Sequence, residues 1–265
     1  DGVQFPRLLD WLLERNPEVE QDLGALFERF IYASLKDTFL ESPICSSLQI
    51  AKAPSIAVSI GNHEEEIDLA FSVGHRVFIC ELKSTQFPTE PLEHLNYRNR
   101  LDEATEQSIR KAAFVRANLK EAMEQLGLKP KNTAADIEVY PLVVSSSPLF
   151  SGWNWNKVGI CDWFILRRFF AEGKLELLGY HNEQGEMIHT MSEMFYTSAD
   201  EAVEAVAGYF EHAPQVRIFE RFLKPCERPL PVFSDTEKPK CIRTFAVQLP
   251  HETLPAVMKS RGSQP

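Results

Sequence analysis

The sequence predicts an α/β fold: a mixed central β-sheet flanked by helices, followed by a small α+β appendage. Three stretches carry that expectation. Residues 67–73 and 76–82 are apolar-rich runs on either side of Gly74-His75, the pattern of a tight β-hairpin. Residues 101–126 place Ala104, Ile109, Ala112, Ala113, Val115, Leu119 and Met123 at helical spacing and end at Gly127, which predicts a long helix. Residues 137–144 are strongly apolar and predict the next strand of the sheet.

The remaining elements follow in chain order. Phe5, Leu8, Leu9, Trp11, Leu12 and Leu13 form an amphipathic turn that stops near Asn16-Pro17. A second helix over residues 20–39 places Leu23, Leu26, Phe27, Phe30, Ile31 and Leu35 on one face. Gly24 within it costs about 1 kcal/mol relative to Ala, so a close packing contact is expected there. Residues 48–60 read as a strand interrupted at Pro54, and 61–64 as a turn; His63 and His75 are read as exposed turn residues. The polar, proline-marked stretch 84–99 is expected to be a loop. Trp153 and Trp155 are read as core or edge packing, and 162–170 as a short helix on the sheet.

Beyond Gly173 the character changes. Strands are expected at 174–180 and 187–195, around a turn at 181–185. Ser198-Ala199-Asp200-Glu201 is a capping box that starts a helix reaching about residue 211. Prolines then punctuate 214–265. The expected division is a domain at 1–173 and an appendage with a proline-rich tail at 174–265.

Composition narrows the classes of function. A chain of 265 residues with 44% hydrophobic and 25% charged residues reads as an ordinary globular protein with one large core or a domain plus appendage. No apolar run approaches a membrane span, and the start lacks a basic-then-apolar leader pattern. The five cysteines form no C-x-x-C pair, which predicts reduced thiols, no structural zinc and a cytoplasmic location. A net charge of −10 argues against a broad basic surface, although a local cationic face suffices to touch a few phosphates. There is no G-x-x-x-x-G-K-[ST] loop, no G-x-S-x-G elbow and no cysteine in a nucleophile motif.

The chemistry concentrates at the hairpin. Side chains alternate along a strand, so Glu81 and Lys83 share one face while Leu82 points to the other, and Asp68 meets them from the paired run. Two carboxylates and an ammonium at the end of a buried strand make a site for a divalent cation and a polarised water. Glu28 falls just beyond Leu26-Phe27 and leans toward Asp68, or is a solvated helix residue. Arg98 and Arg100, with Tyr97 beside them, are candidate contacts to phosphate and a base, with a plain surface loop as the competing reading. Gln107 and Lys111, four positions apart, share a helix face expected to be exposed, and Lys111 is a further candidate phosphate contact.

Ile67-Asp68 and Glu81-Leu82-Lys83, with the hairpin between them, resemble the core motif of the PD-(D/E)xK nuclease superfamily, which includes restriction endonucleases, Holliday-junction resolvases and bacterial defence nucleases. Gly24-Ala25-Leu26-Phe27-Glu28-Arg29 is similar to the G-x-x-x-E-R of its resolvase-like branch, and Gln107 lies in a long helix where several branches place a Gln near the site. The resemblance spans about residues 21–171, with Ile67 standing where Pro is usual. It implies a restriction-endonuclease-like fold and Mg²⁺-dependent endonuclease action, with Mn²⁺ able to substitute, on nucleic acid, DNA before RNA, in defence or repair. It also implies that Asp68, Glu81 and the Leu82 carbonyl hold the metal, Glu28 joins through water, Lys83 handles the attacking water and Gln107 assists. Any motor lies on another domain or chain, and a homodimer would let two sites cut two strands. The competing expectation is an inactive nuclease-like module that binds protein or nucleic acid within a larger assembly, favoured by the acidic balance and the proline-rich tail.

Overall fold

A computed structural model describes residues 23–85, 87–129, 136–181, 187–220, 223–229 and 241–247. The amphipathic turn at 5–13, most of the turn after residue 181 and much of the proline-rich tail lie outside the described residues. The described chain divides into two compact units: residues 1–174 with 194–213, and residues 175–193 with 214–265.

The first unit is built on a six-stranded mixed sheet, as the sequence predicts. Its strands are β1 (Leu48–Ile50), β4 (Leu69–Val73), β5 (Arg76–Lys83), β6 (Glu138–Ser145), β7 (Asn154–Trp155) and β8 (Val158–Asp162), in the order β1-β4-β5-β6-β8-β7. The pairs β1/β4, β4/β5 and β7/β8 are antiparallel, and β5/β6 and β6/β8 are parallel. A separate hairpin joins β2 (Ile56–Ile60) to β3 (His63–Ile67). The predicted break at Gly74-His75 is a two-residue turn between Val73 and Arg76, with Gly74 at φ +60°. A Cβ there would sit 2.7 Å from a methyl of Val203, so glycine answers both the dihedral and the packing.

Helices cover both faces. On one, α1 (Leu23–Glu41), α4 (Trp163–Ala171) and α5 (Ala199–Glu211) pack on Phe71, Phe78, Cys80, Leu82 and Val144. On the other, α2 (Pro91–Ala117) and α3 (Leu119–Leu126) cover Ala70, Val77, Ile79, Val139 and Val143. Asp162 caps α4, its Oδ1 accepting from the Ile165 amide at 2.8 Å. Ser198 caps α5 by accepting from the Glu201 amide at 3.2 Å.

Several expectations are corrected. The helix expected to begin at 101 begins at Pro91, inside the presumed loop, because Pro91 is a first-turn residue and Glu90 with Glu93 forms a capping box. It is also two helices, interrupted at Asn118, whose side chain donates to the Phe114 carbonyl at 2.8 Å. On α1 the buried side chains are Ile31, Leu35, Thr38 and Phe39, whereas Leu26 and Phe30 are 46% and 51% exposed. Among the described residues, nothing lies within 4 Å of a notional Cβ on Gly24, so the expected close contact is not made by them. Helix α5, assigned by sequence to the appendage, belongs to the first unit: Val206 and Phe210 join the core of Phe71, Phe78 and Phe169. His63 is exposed as expected but opens a strand rather than sitting in a turn.

The second unit contains all but the end residues Lys174 and Met194 of the expected strand pair, β9 (Lys174–His181) with β10 (Met187–Met194). It also holds α6 (Pro214–Glu220) and an antiparallel pair, β11 (Leu223–Pro229) with β12 (Cys241–Val247).

Candidate functional site

Strand β5 sets the site by alternation. Val77 and Ile79 face α2, so Glu81 and Lys83, two and four residues on, face it as well. Leu82 faces the opposite core with Phe78 and Cys80. Asp68 is not inside a strand as expected: it is the bend residue between β3 and β4. The β4/β5 register, Leu69 opposite Cys80, nevertheless brings Asp68 to the level of Glu81. The Leu82 amide donates to Asp68 Oδ2 at 2.8 Å and fixes the carboxylate in place.

Helix α2 runs antiparallel to β5 and β6. Tyr97 reaches Ser145 at the strand ends, and Arg116 reaches the Val139 carbonyl near the strand starts. One helical step of four residues rises about 6 Å, and two strand residues advance about 6.6 Å. Gln107 and Lys111 therefore match Lys83 and Glu81 in turn. Lys83 Nζ donates to Glu81 Oε1 at 2.6 Å and to Gln107 Oε1 at 2.9 Å. Lys111 Nζ lies 2.7 Å from Asp68 Oδ1 and 2.6 Å from Glu81 Oε2.

Lys111 thus leaves the role expected for it. It is buried against the two carboxylates, not exposed toward a phosphate. Its signal in the sequence is the four-residue spacing from Gln107, which matches the two-residue spacing of Glu81 and Lys83. Asp68, Glu81 and Lys111 are all buried, while the Lys83 side chain is 30% exposed, so the site opens to solvent on the Lys83 side.

The surroundings bias the charges. Burial, with Glu81 beside it, pushes the Asp68 carboxyl above its ordinary range despite the pull of Lys111. For Lys111, burial works against the charged form, but Asp68 and Glu81 outweigh it and the net direction is upward. Burial raises the Cys80 thiol well above its usual value, with both carboxylates adding to the effect, so Cys80 is held as an inert core thiol.

The other candidates fall in different places. Glu28 does not touch the Asp68 carboxylate; it accepts a short hydrogen bond from the Ser55 hydroxyl, and the Ser55 amide donates to the Asp68 carbonyl at 2.9 Å. Ser55, at φ +50°, is a linking residue that the sequence reading missed. Arg98 and Arg100 are exposed on α2 rather than in a loop, with the Arg98 guanidinium 5.6 Å from the Trp155 ring centre. Tyr97 is buried, donating to the Leu149 carbonyl at 3.0 Å, and is unavailable to stack on a base. Ser145, Ser146 and Thr85 form a hydroxyl cluster next to Lys83, whose carbonyl accepts from the Ser146 amide at 3.0 Å.

The donor set suits a hard divalent cation. Asp68 Oδ1 and Glu81 Oε2 converge on one point, filled by the Lys111 ammonium, and Glu81 Oε2 is a buried oxygen with no hydrogen bond of good geometry. Among the described residues, no group of three His, Cys, Asp or Glu side chains assembles for a metal. No helix among them is long and apolar enough to cross a membrane. No protein-family model, curated protein or solved structure matches the chain.

Proposed function

We propose that this chain is a Mg²⁺-dependent nuclease that hydrolyses phosphodiester bonds, with DNA the favoured substrate, Mn²⁺ an acceptable substitute and the cytoplasm its location. The observation that carries the reading is the convergence of Asp68 and Glu81 on one cation position, with Lys83 beside it on the open side. Asp68 and Glu81 would hold the ion, the Leu82 carbonyl and water completing its shell, and Glu28 would act through Ser55 and water. Bound there, Mg²⁺ would polarise water and stabilise charge on a phosphate oxygen.

The chain's own residues supply the rest. The Lys83 ammonium, held by Glu81 and Gln107, orients the attacking water and offsets charge developing on the phosphate. Gln107 accepts from Lys83 through its oxygen, which leaves its amide NH₂ to donate to a phosphate oxygen. Arg98 and Arg100, exposed on either side of the buried stripe of α2, are the candidate contacts to the nucleic-acid backbone.

One observation favours a second reading, an inactive nuclease-like module that binds protein or nucleic acid. The two carboxylates are already matched by two ammonium groups, so the cluster can serve as an internal clasp between α2 and the sheet. Cleavage of supercoiled plasmid and of labelled single-stranded DNA and RNA, with Mg²⁺, Mn²⁺ or EDTA, separates the two. Metal-dependent cutting that Lys83→Ala abolishes supports the nuclease. Intact nucleic acid under every condition, with the chain folded by circular dichroism, supports the module.

A further inference from the structure

The site is charge-balanced without a metal. Asp68 and Glu81 contribute two negative charges, Lys83 and Lys111 two positive ones, and Lys111 holds the more interior place with its side chain 8% exposed. The oxygens that hold Lys111 are the ones the nuclease reading assigns to Mg²⁺. An ion about 2.1 Å from Asp68 Oδ1 lies within about 5 Å of an ammonium that is itself 2.7 Å from that oxygen. Three positive charges that close, where water screens poorly, repel strongly. A divalent ion added to the intact group would also leave two uncompensated charges in a buried place. The Lys111 ammonium is held by two close ion pairs, 2.7 Å to Asp68 Oδ1 and 2.6 Å to Glu81 Oε2.

We propose that Lys111 is an exchangeable internal cation, which fills the metal position of the ion-free chain and leaves Asp68 and Glu81 when a divalent ion binds. This rests on the reading of Asp68 and Glu81 as metal ligands. The flexible four-carbon stem of lysine allows the withdrawal, and its point charge suits a spherical cation's place better than a planar guanidinium would. The ion-free chain keeps its carboxylates paired and stable, and metal affinity is reduced by the population in which Lys111 is in place.

The test is Mn²⁺ binding by titration calorimetry to the parent, Lys111→Met and Lys83→Met, each checked for folding by circular dichroism. Methionine keeps the stem and removes the charge. Lys111→Met is expected to bind Mn²⁺ about tenfold or more tightly than the parent, with a smaller gain for Lys83→Met. Equal affinity in the parent and Lys111→Met, or equal gains in the two variants, overturns the exchange while leaving the metal site standing. No Mn²⁺ binding by any of the three overturns the metal reading and the exchange together. A second measurement needs no variant: mass spectrometry of amine labelling in the parent, with exposed Lys120 as reference. Mn²⁺ at saturation should speed labelling of Lys111 relative to Lys120; an unchanged or slower rate overturns the exchange even if Lys111→Met does not fold.

Discussion

A buried ammonium between two buried carboxylates is stable only while the set is complete. Asp68→Ala leaves the Lys111 ammonium with Glu81 alone and the Leu82 amide without its acceptor. We expect a loss of about 3 kcal/mol in urea unfolding and, under the proposed nuclease function, loss of cleavage; Glu81→Ala should behave alike. Tyr196 provides a pH signature away from the site. Burial pushes its phenol up to about 12, and its hydroxyl donates to the Phe169 carbonyl at 2.7 Å. Because the folded value lies above the ordinary 10.0, the associated stability is complete below pH 10.0 and is lost as pH rises through about 12. Tyr196→Phe should flatten that part of the alkaline unfolding curve and cost about 1 kcal/mol at neutral pH.

Among the elements, two close approaches hold α5 on the sheet. At Gly74 a Cβ would press on Val203, and at Gly159 it would lie 2.3 Å from the Phe210 carbonyl oxygen. Backbone cannot yield as a flexible side chain does, so Gly159→Ala should force α5 away from β8 and lower stability by about 2 kcal/mol, read as a fall in the melting temperature. Asp162→Ala, which removes only the α4 cap, should cost about 1 kcal/mol. The long helix α2 has the opposite character: its buried side includes Thr105, Ser108 and Lys111 besides Tyr97, Leu101, Ala104, Ala112 and Val115. With three of its eight buried residues polar or charged, α2 is docked by specific pairing as well as by apolar burial.

For the whole molecule, a net charge of −10 sets the terms for any polyanionic partner. The exposed cations that the nuclease reading invokes are few, chiefly Arg98, Arg100 and Lys83. Binding of labelled duplex DNA to Lys83→Met, followed by anisotropy, should therefore have a shallow salt dependence, with a slope of about −2 in log affinity against log salt. A slope several times steeper would mean that a larger cationic surface contributes.

The hairpin, the apolar strand after the long helix, and the shared face of Glu81 and Lys83 were determined by sequence alone, because strand alternation and turn chemistry are local. Asp68 was legible for the same reason, although it proved to be a bend residue. The start of α2 was also present in local chemistry, in Glu90, Pro91 and Glu93, but the prolines were read as loop marks. The role of Lys111 was decided only by the tertiary structure. The apolar positions read along α2 included Ile109 and left Lys111 outside, yet Ile109 is 43% exposed and Lys111 is buried; the choice of side falls to the match between helix rise and strand rise that pairs Gln107 with Lys83 and Lys111 with Glu81. The exposure of Leu26 and Phe30, and the return of α5 to the first core, were likewise set by which surfaces the folded sheet presents, a property of distant segments brought together.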